Sequence, residues 1–371
     1  MDISAIEALT TKVLGASFFL SLVFGAIAQR THFCTMGALS DIVHIGDWAR
    51  MRMWTLAIAV AMLGFFAMVW LGTIDPAKTL YAGTRWRWLS ALVGGALFGF
   101  GMVLASGCGS KTLVRIGGGS LKSLVVFLVM GIAAFATLKG VTAVLRAAAL
   151  DPVAVGVATP GDLPALLSGS LDLGYRTAAA GVAIVLGGCL LLWSVASRDF
   201  IRFDNLLAGL GIGLVIVAMW WVTGALGVVP EHPDTLQEAV LATNSGRMEA
   251  LSFVAPAAYG LDWLIFFSDK SKVLTVGVVS VAGVVMGSAA VALASGSFRW
   301  EGFGGIEDLA NHMAGAVLMG VGGVTAMGCS IGQGISGLST LNLMSFVAVA
   351  AIVAGALAAF RYQGWRVARM L

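Results

Sequence analysis

Long apolar runs separated by short charged breaks follow one another along this chain and limit its possible folds. Three clear runs are Trp54–Gly72, Tyr175–Ser197 and Val273–Ser295, each long enough as a helix to cross a hydrocarbon core of ~30 Å. Hydrophobic residues make up 59% of the 371 residues and charged residues 11%. Soluble domains have roughly a quarter charged residues, so this chain could not cover a water-exposed surface. The sequence therefore predicts an all-α polytopic membrane protein.

The distribution of charge predicts an orientation but no nucleic-acid partner. The net charge of +3 is too small to suggest binding to nucleic acid. Arg361, Arg366 and Arg369 make the tail basic, whereas the segments 151–174 and 230–250 are acidic. Because basic segments stay on the cytoplasmic side, we expect a cytoplasmic C-terminus and external acidic loops. Residues 1–11 lack the basic segment of a cleaved signal peptide, so we expect none there.

A ten-residue pattern occurs twice, as Gly99–Cys108 and as Gly320–Cys329. It predicts an internal duplication, with repeats at 1–197 and 203–371 joined by the polar link 198–204. We expect eight or nine transmembrane helices plus broken, re-entrant half-helices, and an inverted relation between the repeats. The identical pairs are Gly99/Gly320, Gly101/Gly322, Val103/Val324, Ala105/Ala326, Gly107/Gly328 and Cys108/Cys329.

The first apolar run resembles the repeated pattern because it also ends before it is long enough to span the membrane. Val13–Ala28 would span about 24 Å as a helix, less than the hydrocarbon core. The polar segment 29–41 follows it without helical periodicity and contains Cys34. This favours a half-helix that breaks inside the protein, where protein groups satisfy the backbone; a thin helix with an ordinary loop is the alternative. When Gly25 is aligned with Gly213, Thr223 lies opposite Thr35. The second repeat is therefore predicted to contain a copy of this segment that lacks the cysteine.

The cysteines divide into three at the ends of apolar runs and one within a run. Cys34, Cys108 and Cys329 precede small or polar residues, whereas Cys189 lies inside a continuous span and is predicted to be structural. No Cys or His spacing fits a metal site or a disulfide scaffold, so we expect no metal and no cofactor. The residues expected to support the three thiols are Thr35, Gly107, Gly109, Lys111, Gly328, Ser330 and Gln333.

The surroundings of these thiols favour an anion as the ligand. A thiol is a weak donor and a polarisable acceptor, which suits a sulfur-bearing ion. Lys111, Arg115 and Lys122 follow Cys108 with no acidic residue among them, although they could equally be cytoplasmic surface charges. A soft cation such as Cu(I) is the alternative that the 16 methionines would suit. A second alternative is that the Gly-Cys pairs only allow helices to pack closely and bind no ligand.

An enzyme is disfavoured by the same pattern. Thiol–disulfide chemistry would use a close cysteine pair, often CxxC, and none is present. Three cysteines could still converge in space, so a membrane thiol oxidoreductase stays open as an alternative. Hydrolase signatures are absent, and we expect no enzymatic activity.

Three stretches resemble the YeeE/YedE family of sulfur-transport permeases. They are Thr31–Asp41, Gly107–Leu113 and Met327–Thr340, and the Gly-Cys-Ser-Ile-Gly-Gln-Gly block within the third is the most specific. The resemblance extends over essentially the whole chain. It implies uptake of thiosulfate or a related sulfur species, with selenium species as a variant, through a bacterial inner membrane.

The resemblance also implies an architecture and a partner. Family members have two pseudo-symmetric halves whose half-helices meet at a constriction lined by three cysteines, which would be Cys34, Cys108 and Cys329 here. Cys189 matches no family position. A small cytoplasmic sulfur-carrier protein of the TusA type commonly works beside such permeases. The anion would pass the three thiols in turn, held weakly at each.

Overall fold

In a computed structural model, which describes residues 3–157, 161–233, 235–269 and 271–370, the chain is mostly helical. The predicted all-α polytopic class is confirmed. The helices are α1 Ile3–Thr31, α2 Thr35–Ile45, α3 Ala49–Trp70, α4 Trp88–Leu104, α5 Gly109–Gly117, α6 Leu121–Lys139, α7 Val141–Ala149, α8 Leu163–Leu171, α9 Tyr175–Val195, α10 Phe203–Leu206, α11 Ile212–Trp221, α12 Ala255–Ile265, α13 Val276–Ala294, α14 Ile306–Thr325 and α15 Leu343–Met370.

Eight helical stretches in the described residues are long and apolar enough to cross a membrane. This agrees with the expected eight or nine. The helix α14 is not among the eight, although its 20 residues would extend about 30 Å. The eight are Ile3–Ile45, Ala49–Trp70, Trp88–Gly117, Leu121–Lys139, Tyr175–Val195, Phe203–Leu226, Val276–Ala294 and Leu343–Arg369.

Two short two-stranded β-sheets lie on one side of the helices, which we call the hairpin face. Strands β1 (Arg85–Trp86) and β2 (Val155–Gly156), which are far apart in the chain, pair antiparallel, and β3 (Val228–Val229) and β4 (Ala239–Val240) form a β-hairpin. The loops around them are tied together, since the amide of Leu80 donates to the carbonyl of Met248. Two paired strands are marginally stable alone, so such cross-links and the burial of Val229 stabilise these sheets.

The opposite side, which we call the tail face, holds the end of α15. Arg366 forms an ion pair with Glu307 at the start of α14. Lys122 at the start of α6 is 2.7 Å from Glu301. These exposed pairs contribute little free energy each, but they place the starts of α6 and α14 on the same side as the C-terminus.

Helices from the two predicted repeats pack directly on one another. α1 lies along α13, and α4 lies between α14 and α15. In the α4–α14 pair, Gly94 faces Gly322 and Gly101 faces Gly315, so the two helices run antiparallel with their backbones in close contact. Glycine permits this approach because it has no Cβ atom. The repeat boundaries and their inversion stay predictions.

The first helix corrects the prediction of a short half-helix at Val13–Ala28. α1 has 29 residues because its first turns are stabilised outside the apolar run. Ile6 packs against Val229 of β3 and against Leu241, which follows β4. Such a long-range contact cannot be recognised from local hydropathy.

The segments after Cys34 and Cys108 are helices, which corrects the segment without helical periodicity that was predicted after Cys34. In α2 the buried residues are Thr35, Gly37, Ala38 and Leu39, and α5 buries Leu113 and Val114 beside Gly and hydroxyl-bearing residues. These helices have only 11 and 9 residues. Such lengths are too short for hydrophobic periodicity to identify a helix in the sequence.

The predicted counterpart of the Cys34 break is wrong. Phe203–Leu226 is one continuous helical stretch, and Thr223 lies within its π-helical turn Val222–Leu226. The hydroxyl of Thr223 donates to the carbonyls of Met219 and Glu249. The apolar helix continues there, and its backbone hydrogen bonds are satisfied within the helix.

Two further sequence predictions need correction. Cys189 is exposed on α9, outside the face that α9 buries against α3, so it does not pack in the interior. The predicted short run His312–Gly328 is a 20-residue helix from Ile306. Glu307 and Asp308 in its first turn stabilise that start through the helix dipole.

The glycine contact between α1 and α13 gives a stability prediction. A Cβ atom on Gly287 would overlap the carbonyl oxygen of Leu22, so Gly287→Val should force the helices apart. Overpacking of this kind costs about 1–3 kcal/mol. We expect a lower midpoint of thermal unfolding in detergent. Gly181→Val on α9 is the control, because no atom lies within 4 Å of its Cβ position; equal midpoints for the two variants would contradict the packing.

Candidate functional site

The three cysteines at the ends of apolar runs occupy the same position in three helix–break–helix units. Cys34 lies between α1 and α2, Cys108 between α4 and α5, and Cys329 between α14 and the π-helix Gly332–Gly337. In each unit the residue two positions before the cysteine has a left-handed backbone: His32 at φ 53°, Ser106 at 55° and Met327 at 57°. Such conformations are costly for these residue types, which indicates that the surrounding packing holds them.

The first helical hydrogen bond after each break is made by the cysteine, although the regular π-helix of the third unit starts only at Gly332. The cysteine carbonyl accepts from the amide four residues later, at 2.9 Å for Ala38, 2.9 Å for Thr112 and 2.8 Å for Gln333. Each thiol therefore lies at a helix N-terminus, where free amides and the helix dipole favour negative charge. This shared backbone geometry was visible in the sequence only as the Gly-Cys repeat.

Cys34 and Cys108 come from breaks far apart in the chain but lie side by side. Their thiols lie near each other. The Cys34 sulfur also accepts from the amide of Gly37 at 3.3 Å. Cys34 is 6% exposed and Cys108 is fully buried, so both belong to the interior of the helical assembly.

Cys108 is also connected to the third unit. Its sulfur is 3.3 Å from the hydroxyl of Ser110. The hydroxyl of Ser330, which directly follows Cys329, also lies near this sulfur but has no hydrogen-bond partner among the described residues. Cys108 therefore approaches the third unit at Ser330, one of the residues predicted to support the thiols.

Cys329 is fully buried and is surrounded by backbone amides. Its sulfur accepts from the amide of Gly332 at 3.4 Å and lies 4.0 Å from the hydroxyl of Ser252. Ser252 was missed in the sequence, because the segment 247–254 repeats no recognisable pattern. In the part of the chain that is described, no three His, Cys, Asp or Glu side chains converge as metal ligands.

Several predicted supporting residues present polar atoms to this interior. The side-chain oxygens of Thr35, Ser330 and Gln333 are buried without a hydrogen-bond partner among the described residues. The Gln333 amide nitrogen donates to the carbonyl of Ala326 at 2.6 Å. Buried polar atoms without partners are costly unless a ligand or water satisfies them. These groups could therefore bind a polar species that passes the thiols.

The predicted glycines have close neighbours in each unit. A Cβ atom on Gly109 would lie 3.5 Å from the Cβ of Phe253, and one on Gly328 would lie 3.0 Å from Cγ of Gln333. A Cβ atom on Gly107 would lie 3.2 Å from Cγ of Lys111. Larger residues at the first two positions would intrude between the cysteine-bearing turns.

Lys111 places a positive charge near the first two thiols. It is half-buried on α5, one turn after Cys108, and interacts electrostatically with Cys34, Cys108 and Arg50. Within the described ranges, no ion pair joins Lys111 to a carboxylate. His32, which is exposed, lies in the same basic surroundings. An unneutralised ammonium here would attract an anion.

A cavity of about 190 Å³ leads from the hairpin face toward Cys329. Its wall includes Tyr81, Ser252 and Gly328, and the Tyr81 hydroxyl donates to the carbonyl of Gly332 in the turn after Cys329. Glu249 also lines the cavity, and burial raises the pKa of its carboxyl above the usual value, although Ser245 donates to it. Polar and titratable groups thus occur at the entrance as well as at the thiols.

Known proteins resemble this chain over most of its length. A family model described as sulphur transport matches residues 30–358. The thiosulfate transporter TsuA of Escherichia coli strain K12 is 27% identical over 342 residues, which cover 90% of each chain. The thiosulfate transporter TsuA of Spirochaeta thermophila is 24% identical over 356 residues, which cover 91% of this chain and 94% of that relative.

The adjacency of Cys34 and Cys108 can be tested by oxidation. Treating the purified protein with diamide, which accepts two thiol hydrogens as the disulfide forms, should link Cys34 to Cys108 because their sulfurs already lie near each other. Mass spectrometry of unreduced peptides would detect the link, and Cys189 should stay unlinked as the internal control. A link from Cys108 to Cys329, with Cys34 left free, would contradict the arrangement.

Proposed function

Since this chain belongs to the sulphur-transport family, we propose that it takes up thiosulfate, or a closely related small sulfur-containing anion, past Cys34, Cys108 and Cys329. The relatives named as thiosulfate transporters support this substrate. A multi-pass membrane protein with transporter relatives acts in transport, and we propose no enzymatic activity. The bacterial inner membrane is the location that fits such an uptake protein.

The observation that supports the proposal most directly is the alignment of three buried thiols with three helix N-termini. An anion in a hydrocarbon layer needs preorganised positive charge and donors. Each N-terminus supplies a partial positive charge, and each thiol supplies a polarisable donor. Among the described residues, no carboxylate contacts any of the three thiols directly. This favours an anion over a cation as the substrate.

The contacts define an order of passage. From the hairpin face the anion would enter the cavity beside Ser252 and meet Cys329. It would then pass the hydroxyl of Ser330 to reach Cys108 and Cys34, and leave near Lys111 toward the tail face. The thiol hydrogens donate to the anion at each step, without a covalent bond. Weak sites in series suit transport because tight binding would slow release.

The charge distribution supports an orientation with the tail face in the cytoplasm, because basic residues are retained on that side. The acidic segments 151–174 and 230–250 then lie outside, and the anion enters from outside. The C-terminus is cytoplasmic in this orientation. Basic residues on or near the tail face are Arg30, Arg50, Arg52, Lys111, Arg115, Lys122, Arg198, Arg202, Arg299, Arg361, Arg366 and Arg369.

A TusA-type carrier is the partner that we propose on the cytoplasmic side. Sulfur released near Lys111 would emerge on the tail face, where such a carrier could receive it. The lipid bilayer surrounds the remaining helices, and the exposed side chain of Cys189 would face it.

Other substrates and an enzymatic role are weaker candidates. A selenium-containing anion would use the same thiols and is distinguished only by uptake measurements. The contact between Cys34 and Cys108 would favour a thiol oxidoreductase, but both thiols are buried, so a protein thiol could not reach them for exchange. A soft-metal transporter would require several thiolates around one ion, whereas Cys329 interacts with Ser252 and backbone amides.

The pathway role of the thiols predicts a clear division among the four cysteines. Cys34→Ala, Cys108→Ala and Cys329→Ala should each lower thiosulfate uptake by about tenfold or more, the effect of losing one hydrogen bond to a charged group. Cys189→Ala should leave uptake unchanged. Growth of a sulfate-uptake-deficient host on thiosulfate, combined with labelled-thiosulfate uptake, measures both effects. Normal uptake in all three pathway variants would refute the proposal.

The charge of Lys111 predicts a second effect. Lys111→Gln should raise the KM for thiosulfate about fivefold, because it removes a half-buried positive charge near Cys34. Lys111→Arg should retain most of the affinity. Lys122→Gln is the matched control, since its ammonium is already paired with Glu301 at 2.7 Å. If Lys111→Gln and Lys122→Gln shift KM equally, the charge acts only through the general surface potential.

A further inference from the structure

The guanidinium of Arg50, on the first turn of α3, lies against the first turn of α2, directly after the thiol of Cys34. A Cβ atom on Gly37 would lie 2.6 Å from a terminal nitrogen of Arg50 and 3.4 Å from the Cβ atom of Cys34. The amide of Gly37 donates to the Cys34 sulfur at 3.3 Å. The guanidinium and the thiol therefore lie next to the same glycine, at a helix end that favours negative charge.

Further basic groups surround this helix end. Lys111 on α5 lies near both Arg50 and Arg115. His32, which is exposed, lies near Lys111 and Arg50. Because these residues come from α3, α5 and the break before α2, only the tertiary fold brings them together. The sequence alone would assign them to separate segments.

Asp41, one turn further along α2, balances part of this positive charge. Its Oδ2 atom is 3.3 Å from Nε of Arg50, and the two side chains are 19% and 38% exposed. A terminal nitrogen of the same guanidinium lies beside Gly37. Because a guanidinium has five N–H donors, Arg50 can bind a second acceptor beside Gly37 while it is still paired with Asp41.

The first residue of α2, Thr35, gives an independent indication of a ligand at this helix end. Its side chain is 4% exposed, and its hydroxyl has no hydrogen-bond partner among the described residues. A buried hydroxyl without a partner is costly unless a ligand or a water molecule satisfies it. Ordinary surface charges on the tail face would not account for this hydroxyl, whereas an anion held beside it would.

We propose that Arg50 and Lys111 form an inner binding site for a small oxyanion between Cys34 and the tail face, and that Asp41 weakens this site so that the anion is released. Hydrogen bonds from charged donors are stronger than those from a thiol, so the anion would move forward from Cys34. A carboxylate that competes for Arg50 keeps the binding weak enough for transport. The inference rests on the proposed function and adds the site through which the anion leaves.

The first experiment measures anion binding with a reporter thiol at the exposed position 32. His32→Cys is made with Cys189→Ser, and the reduced full chain in detergent is treated with a small anionic methanethiosulfonate reagent. We expect labelling above that of the Cys189→Ser parent. Thiosulfate should slow this labelling several-fold, and sulfate and phosphate are tested as two further oxyanions.

Two arginines on the same helix provide a matched comparison in this reporter protein. Arg50→Gln should remove most of the slowing by thiosulfate, and Arg50→Lys should restore part of it. Arg52→Gln makes the same change in charge but should leave the slowing intact, because Arg52 donates to the carbonyl of Trp193 on α9 at 2.7 Å. Equal losses in Arg50→Gln and Arg52→Gln would overturn the role of Arg50.

The carboxylate of Asp41 gives a prediction of opposite sign. Asp41→Asn should let thiosulfate slow the labelling at about fivefold lower concentration, the effect of losing one partly exposed ion pair. It should also lower the maximal rate of uptake, because release becomes slower. Asp47→Asn is the control, since the Asp47 carboxylate accepts from the amide of Ala49 at 2.9 Å. Equal behaviour of the two variants would overturn the releasing role.

The outcomes separate this inference from the proposed function. A His32→Cys protein that unfolds at the parent temperature but is not labelled, or is labelled at a rate that no oxyanion slows, would overturn the inner site. Continued thiosulfate uptake by that protein would leave the proposed function standing. Slowing by sulfate or phosphate but not by thiosulfate would retain the site and reject thiosulfate as the substrate.

Discussion

Backbone groups that face hydrocarbon without a partner are so costly that every helix break in a membrane protein must be satisfied locally. Here three breaks satisfy that requirement in the same way. The cysteine carbonyl accepts the first hydrogen bond of the following helix, and the sulfur accepts an amide in two units, from Gly37 and Gly332. The thiols thus have a structural role in addition to the transport role that we propose for them.

The sequence predicted the features that depend on local composition. The apolar spans, the membrane class and the three cysteines at the ends of runs follow from hydropathy and from one repeated pattern. The helicity of α2 and α5 could not be predicted because helices of 11 and 9 residues are too short for hydrophobic periodicity to identify them. The full length of α1 depends on Ile6 and a hairpin more than two hundred residues away.

The candidate site was predictable in its thiols but not in its connections. Nothing in the sequence pairs Cys34 with Cys108, because their contact arises where two separate helix breaks meet. The alignment that chose Thr223 relied on one glycine and failed, since the corresponding helix is continuous. Ser252 was missed because the segment 247–254 repeats no recognisable pattern.

The two halves of the site differ in chemistry although their breaks are alike. One side presents two neighbouring thiols near a lysine, and the other presents a thiol beside a hydroxyl and a carboxyl-lined cavity. An ion passing between them would exchange oxygen-directed donors for sulfur-directed ones. The two ends of the proposed passage are therefore chemically different, although the breaks that form them are alike.

The close glycine packing of α4 on α14 has a mechanical consequence. Cys108 follows one of these helices and Cys329 follows the other, so their separation is set by backbone contact that leaves no slack for sliding. We therefore expect the thiols to move relative to one another by rotation of their side chains and not by sliding of the helices.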